Sequence, residues 1–226
     1  DGDNMSFAIS GDDVSYFVID TNTGELTFSS ALDYETPTDL DYDNVYVVDI
    51  TVTDDSGSAL TATETFSVTL NDVNDNPVIS QSSINSGNVS IAENTSSVLT
   101  ATATDDDGDT LSFSLSGDDA ALFSIDPSTG VLTFISSPNY DAPTDANTDN
   151  VYDISITATD DNASPLSTTE SLLVTITDVA ETPQISTSPS IGIDENLTTV
   201  ATIAATDDDN DNLSYAISGL DANWFT

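Results

Sequence analysis

Short segments in which apolar residues alternate with Ser or Thr recur along the whole chain, the period-two pattern of strands with one face buried. In the middle of the sequence, 98–104 and 111–115 alternate in this way. Phe123-Ser124-Ile125 and Val131-Leu132-Thr133-Phe134 flank Pro127-Ser128-Thr129-Gly130, a turn signal with Gly at its end. The segment 151–159 alternates again through Val151, Ile154, Ile156 and Ala158, and 172–179 closes the series. About seven strands in about a hundred residues, with no helical period, predict an antiparallel β-sandwich. Thr-x-Thr runs such as Thr100-Ala101-Thr102 fit the solvated face of a strand better than a flat ice-binding or stacking surface.

The series occurs more than once. A shift of 106 positions places Asp20 on Asp126, Gly24 on Gly130, Asp43-Asn44-Val45-Tyr46 on Asp149-Asn150-Val151-Tyr152, and Pro77 on Pro183. A further copy follows in a register of 102: Ile91-Ala92-Glu93-Asn94 returns as Ile193-Asp194-Glu195-Asn196, and Asp105-Asp106-Asp107 as Asp207-Asp208-Asp209. A unit this long buries its own core, unlike solenoid repeats of roughly 20–50 residues. The expectation is therefore tandem all-β domains: 1–76 without its first part, 77–182 complete, and 183–226 without its second part. The opening Asp1-Gly2-Asp3 reads as the start of a piece cut from a longer chain.

Composition turns this β pattern toward a particular chemistry. The 226 residues include 41 Asp and Glu but no Lys, Arg or His, a formal charge of −41. So acidic a chain raises the prospect of disorder, which the regular runs of Val, Ile, Thr, Phe and Tyr oppose. The charge argues against nucleic acid as a partner and disfavours anionic membranes, and no apolar run is long enough for a transmembrane helix. Cysteine is absent, which removes disulfides and thiolate metal sites. Two carboxylates about 5 Å apart repel by roughly 3 kcal/mol at an effective dielectric near 20. With no cationic side chain, clustered acids must take their counter-charge from solvent, salt or a bound metal.

The acids are concentrated between the strands, at matching places in each copy. A lone acid, Glu93 or Glu195, follows a short strand, and the triplets at Asp105 and Asp207 follow the next. Leu32-Asp33-Tyr34-Glu35 matches Pro138-Asn139-Tyr140-Asp141, Asp54-Asp55 matches Asp160-Asp161, and the first join carries Asp72-Val73-Asn74-Asp75-Asn76-Pro77. Carboxylates, an amide and backbone carbonyls meeting at a join suit a hard cation. Ca²⁺ takes six to eight oxygens in flexible geometry, Mg²⁺ demands a stricter octahedron, and Zn²⁺ or Cu²⁺ would want His or Cys.

These residues resemble the cadherin family. Asp72-Val73-Asn74-Asp75-Asn76-Pro77 matches the cadherin linker motif D-x-N-D-N-P, and Leu32-Asp33-Tyr34-Glu35 resembles L-D-R-E with Tyr for Arg. Ala103-Thr104-Asp105-Asp106-Asp107 resembles A-x-D-x-D, Ala92-Glu93-Asn94 resembles P-E-N, and Ala158-Thr159-Asp160 resembles A-x-D. The resemblance covers essentially the whole chain. It implies tandem Greek-key sandwiches of cadherin or immunoglobulin type, with Ca²⁺ held at each inter-domain junction. At the first junction it implies Asp33, Glu35, Asp72, Asn74 and Asp75, with Asp105, Asp107 and Asp160 of the next domain and the carbonyls of Val73 and Asn76. The second junction departs from the pattern: Asp178-Val179-Ala180-Glu181-Thr182-Pro183 has lost the amide, Asn139 replaces an acid, and Asp141 is shorter than Glu35. Glu93, Asp141, Asp178, Glu181, Glu195, Asp207 and Asp209 remain as ligands, with fewer ions or weaker binding expected there.

One insertion lies outside the animal pattern. Pro37-Thr38-Asp39-Leu40-Asp41-Tyr42-Asp43-Asn44 recurs as Pro143-Thr144-Asp145-Ala146-Asn147-Thr148-Asp149-Asn150 and opens like an EF-hand loop. Its sixth place holds Asn44 or Asn150 rather than Gly, and its twelfth holds Ile50 or Ile156 rather than Glu. An extra ion and a solvated polar loop both remain open at this point. With the acidity, the insertion resembles cadherin-like repeats of very large bacterial surface adhesins. The function expected is an extracellular, calcium-stiffened extender of an adhesin, partnered by calcium and by neighbouring repeats. The alternative is a calcium-dependent module gripping a glycan or a like cadherin domain, for which Tyr34, Tyr42, Tyr140 and Trp224 are the aromatic candidates. An enzyme is disfavoured, because the acids repeat with the domain and no His, Cys, Lys or Arg stands by to tune them.

Overall fold

A computed structural model describes residues 4–225, so the opening Asp1-Gly2-Asp3 lies outside the described residues. Every regular element is a strand or a single 3₁₀ turn, and no helix among the described residues is long and apolar enough to cross a membrane. The chain divides into two compact units. The first holds the described residues through Asn76 together with Asp105–Thr110 and Asp161–Leu166; the second holds Pro77–Thr104, Leu111–Asp160 and the residues from Ser167 onward.

The first unit contains β1 (Met5–Ser10), β2 (Phe17–Ile19), β3 (Leu26–Phe28), β4 (Val45–Asp54) and β5 (Thr61–Thr69). They form one sheet in the order β1-β4-β5 and a two-stranded sheet of β2 and β3. The core between them is small: Phe17, Tyr46 and Val48 are buried, with Ile9, Leu26, Phe28, Leu32 and Val68 packed around them. Tyr46 meets the rings of Phe28 and Tyr16 edge-on, at centroid distances of 5.5 and 5.3 Å.

The second unit carries β6 (Val78–Ile79), β7 (Asn88–Ala92), β8 (Ser97–Thr100), β9 (Ala103–Thr104), β10 (Ser112–Ser116), β11 (Phe123–Ile125), β12 (Val131–Phe134), β13 (Val151–Thr159) and β14 (Ser167–Thr177), followed by the short pair β15 (Gln184–Ile185) and β16 (Ala205–Thr206). A four-stranded sheet, β10-β13-β14-β7, faces a three-stranded sheet, β11-β12-β8, while β6 pairs with β9. The alternation seen in the sequence is the reason: Tyr152, Ile154, Ile156 and Ala158 of β13 point to one face, and all four are fully buried against Leu132, Phe134, Leu172 and Val174. Tyr152 packs edge-on to Phe123 and Phe134, the same arrangement as Tyr46 in the first unit.

Three details differ from the sequence reading. The predicted strand 98–104 is divided into β8, which pairs with β12, and β9, which pairs with β6, so the chain changes ladder partner between Thr100 and Ala103. The closing strand β14 starts at Ser167 rather than at 172, since its polar first half pairs with β13 through backbone bonds without burying side chains. One ladder, β14 with β7, is parallel rather than antiparallel, and it places Thr177 opposite Ala92.

Buried acids outside the metal motifs tie the insertion to the sheet. Asp119 accepts the backbone N–H groups of Ala146 and Asp153, both at 2.8 Å, and Asp13 accepts those of Leu40 and Val47 at 3.0 and 2.9 Å. Both carboxylates are almost wholly buried. Charge-assisted bonds of this kind are stronger than neutral ones, which lets an acid sit inside without a cationic partner.

Candidate metal centres

In the first unit, the turn after β9 and the segment after β5 build one acidic site. Gly108 has a φ of +76°, which closes a turn with its N–H on the Asp105 carbonyl at 3.3 Å. That turn brings Asp105, Asp107 and Asp109 together, with carboxylate oxygens within 4.8 Å of one another. Asp107 also lies within 4.8 Å of Glu35 and Asp72, so it belongs to two acid groups. The Asp75 N–H donates to one Asp107 oxygen at 2.7 Å, and the Glu35 N–H donates to Asp33 at 3.1 Å. The other Asp107 oxygen, and one oxygen of Asp105, are buried without a hydrogen-bond donor. A carboxylate oxygen so placed costs free energy unless a cation meets it. Burial pushes the Asp75 carboxyl above its ordinary value, and the charges of Asp107, Asp106, Asp33 and Asp105 add to that.

In the second unit the parallel ladder does the work. Because Thr177 stands opposite Ala92, Glu93 and Asp178 leave the sheet side by side. Glu93 is 3% exposed, and each of its oxygens takes a backbone N–H at 2.9 Å, one from Tyr140 and one from Val179. It thereby draws the 138–142 loop and the segment after β14 to one point. Glu93, Asp141, Asp178 and Glu181 all present oxygens within 4.8 Å of one another. The Glu181 N–H donates to Asp209 at 2.8 Å and the Asn94 amide to Glu181 at 3.2 Å, while one oxygen each of Glu181 and Asp209 is buried without a donor. Asp207, Asp209 and Asp211 form a further trio around a turn in which Asn210, at φ +60°, stands where the earlier copy has Gly108. Burial raises the carboxyls of Asp141, Asp178 and Glu181, and the surrounding acids, Asp209 and Glu93 foremost, push them the same way.

Most of the residues expected from the sequence take part in these two places. Asp33 is a hydrogen-bond acceptor beside the first group rather than a member of it. Asn74 donates its amide to the Ser164 carbonyl at 3.3 Å; Val73 is exposed and Asn76 closes the first unit. Asp160 is 4% exposed at the end of β13. Glu195 is exposed and joins none of the acid groups found among the described residues. Asn139 accepts the Ala142 N–H at 3.0 Å and acts as a turn former. Asp109 and Asp211 join their groups although the sequence reading did not select them; the alternation Asp105, Asp107, Asp109 was the signal. The first place gathers five carboxylates, Glu35, Asp72, Asp105, Asp107 and Asp109, in two groups that share Asp107; at the second, Glu93, Asp141, Asp178 and Glu181 form one group beside the trio at Asp207.

In the insertion, Asp39, Asp41 and Asp43 lie within 4.8 Å of one another. Asp39 takes the Asp43 and Asn44 N–H groups at 2.9 and 3.3 Å, and Asp145 takes those of Asp149 and Asn150 at 2.8 and 3.3 Å. The twelfth position, Ile50, sits inside β4 opposite Glu64. The loop is thus held by its own backbone. Of the aromatic candidates, Tyr42 and Trp224 are well exposed, and Tyr34 and Tyr140 partly so.

The donor set of both centres is oxygen only, in irregular arrays with buried oxygens that lack donors, in a chain with no cationic side chain. That fits Ca²⁺ better than a metal preferring nitrogen or sulfur. The fold is similar to that of cadherin repeats. Residues 87–177 match the family described as Cadherin domain. Mouse Protocadherin Fat 4 is 31% identical over 225 residues, covering 92% of this chain and 4% of that protein. Human Cadherin-23 is 31% identical over 189 residues, covering 80% of this chain and 5% of the other. The chain therefore spans only a small fraction of these curated relatives. Among solved structures, human CDH23 EC21-23 superposes with a TM-score of 0.54 at 18% identity, covering 91% of this chain and 74% of that one. Human Protocadherin-24 EC1-2 does so with a TM-score of 0.51 at 22% identity, covering 78% and 84%; at these identities the likeness is one of fold. These relatives are animal proteins and give the bacterial resemblance no support.

Proposed function

We propose that the chain is a calcium-rigidified extender segment of an extracellular adhesion protein, built of three cadherin-type repeats at 1–76, 77–182 and 183–226. Ca²⁺ is held by Glu35, Asp72, Asp105, Asp107 and Asp109 in one place, and by Glu93, Asp141, Asp178, Glu181 and Asp209 in the other. The observation that carries this reading is the set of donorless carboxylate oxygens on Asp105, Asp107, Glu181 and Asp209 in a chain without Lys, Arg or His. Each acidic site draws on segments far apart in sequence, so an ion bound there ties them together. Ca²⁺ supplies the positive charge; the residues position the oxygens, and Glu93 and Asp107 fix the neighbouring backbone. An ion that binds only the ordered form stabilises it by about 2.7 kcal/mol per site at a hundredfold excess over Kd. Extracellular modules of this kind bind with Kd of about 10⁻⁴–10⁻³ M, a match to calcium-rich fluids. The insertion at 37–44 and the charge of −41 support a large, salt-exposed surface adhesin.

Small-angle scattering with and without chelator tests the reading. The expected result is a stiff, extended particle in millimolar calcium and a broader, more flexible ensemble once calcium is removed. Identical profiles in both conditions refute it.

A further inference from the structure

We infer that the second unit carries a pocket shaped for a phenol ring, and that its occupant is a tyrosine side chain in a basic stretch of a partner polypeptide. The pocket lies beside the single turn Ala120–Leu122, where the chain passes from β10 to β11. Leu122, Phe134, Ile135, Pro138, Ala142 and Thr144 line it, around a largely apolar volume of about 280 Å³. Pockets for drug-sized ligands begin near about 300 Å³, so this one suits a single ring and its attachment. All six residues lie within the stretch 87–177 that matches the cadherin family, well inside the chain.

The first unit shows what fits there. At the shift of 106, Tyr16 stands for Leu122, Thr36 for Ala142 and Thr38 for Thr144. The backbone around the two positions is held alike. The Ile135 N–H donates to the Leu122 carbonyl at 2.9 Å, and the Ser29 N–H to the Tyr16 carbonyl at 2.8 Å. Asp119 takes the N–H of Ala146, and Asp13 that of Leu40, so the insertion is tied down beside the turn in both. In the first unit the Tyr16 ring crosses from this turn to the insertion. It meets Tyr46 edge-on, with centroids 5.3 Å apart, and its hydroxyl donates to the Thr38 carbonyl. In the second unit Leu122 is shorter and has no hydroxyl, and Ala142 is smaller than Thr36. Tyr152, the counterpart of Tyr46, stays fully buried, while the Thr144 carbonyl has no donor among the described residues. The pocket is thus the room of a ring that one copy supplies itself and the other leaves open.

A ring entering from outside meets the same kinds of group. Phe134 and Ile135 give apolar contact, Ile135 being 66% exposed at the rim, and the Thr144 carbonyl accepts the hydroxyl. Tyrosine joins a large apolar body to a polar tip, which makes it a common anchor at interfaces. Charge decides the kind of chain that presents it. Asp118 on the turn and Asp149 on the insertion are exposed, and the whole chain carries −41 with no Lys, Arg or His. Such a field draws in cationic partners and repels acidic ones, a second copy of this chain included.

The test is an NMR titration of the isotope-labelled 226-residue chain, in millimolar calcium, with the peptide Lys-Lys-Tyr-Lys-Lys and its Phe and Ala versions. The Tyr peptide should shift the amide signals of Leu122, Ile135 and Thr144 saturably. The Phe peptide, lacking the hydroxyl, should bind several-fold more weakly, and the Ala peptide at least about tenfold more weakly. Leu122→Tyr fills the pocket from within, as Tyr16 does in the first unit. That variant should keep its melting temperature and lose the preference for Tyr over Ala. Equal binding of the Tyr and Ala peptides to the wild type overturns the proposal, since charge alone is then at work. A Tyr preference that survives Leu122→Tyr also overturns it, because the ring then sits elsewhere. Shifts at these residues that grow with protein concentration in the absence of peptide would make a second copy the occupant and overturn the basic partner.

Discussion

Replacing Glu93 by Gln separates a metal ligand from a structural acid. In the structure its two oxygens each accept one backbone N–H, from Tyr140 and Val179, at 2.9 Å. An amide keeps one acceptor oxygen and turns an N–H₂ toward the other donor, so one charge-assisted bond is lost, worth about 2 kcal/mol. The same change removes one of four negative charges whose oxygens lie within 4.8 Å of each other. In chelator that relief of repulsion opposes the lost bond, and the net cost falls below about 2 kcal/mol. In calcium there is no repulsion to relieve, and a tenfold loss of affinity adds about 1.4 kcal/mol. The cost then rises to roughly 3 kcal/mol, or at least about 12 °C in melting temperature for a domain of this size. Thermal unfolding of wild type and Glu93→Gln in millimolar calcium and in chelator is the assay. The wild-type response to calcium should be larger than that of the variant. An equal drop in melting temperature in both conditions refutes the reasoning, because Glu93 would then be a hydrogen-bonding acid and nothing more.

Further outcomes follow from the same geometry. Asp107→Asn removes the charge shared by two acid groups; calcium affinity at that place should fall by at least about tenfold, while the melting temperature in chelator should not fall, as titration calorimetry and calorimetric melts will show. The Asp126 carboxyl is lowered from 3.8 to about 2 by the Ser128 hydroxyl and by the Thr129 and Ser128 N–H groups. Its folded value lies below its unfolded one, so its stabilisation is present above about pH 3.8 and disappears as pH falls toward 2. Asp126→Ala should therefore melt lower than wild type at neutral pH, with the gap closing over that acid window; a gap independent of pH contradicts the assignment. Gly130→Ala should destabilise more than Gly24→Ala, because both positions share a positive φ but only Gly130 faces a carbonyl at 2.1 Å; equal losses in chemical denaturation would contradict the close approach of β8.

Much of the fold was legible because strand alternation is local. The bounds of β11, β12 and β13 coincide with runs readable from the sequence. The break after β8 was not legible, since it depends on a change of ladder partner, from β12 to β6, that comes only with folding. The parallel ladder of β7 on β14 was equally hidden, and with it the way Glu93 and Asp178 come to stand side by side. Read along the chain, that site looks depleted, with Ala180 for an amide and Asn139 for an acid. In space, Glu93, already expected as a ligand there, arrives beside Asp178 through the ladder, and its oxygens lie within 4.8 Å of those of Asp141 and Glu181. The acids of Asp13 and Asp119 passed unnoticed for a related reason: their partners, such as Val47 and Asp153, lie 34 residues on. Charge count shows that acids must be neutralised; which ones are held by backbone N–H groups and which await a cation depends on tertiary pairing.

Calorimetric titration of the calcium-stripped chain with Ca²⁺ tests the central claim most directly. Saturable binding at two or more sites is expected, with Kd of about 10⁻⁴–10⁻³ M. Asp107→Asn should weaken one set of sites and Glu93→Gln the other. Heats no larger than dilution, or binding untouched by either substitution, would contradict the account.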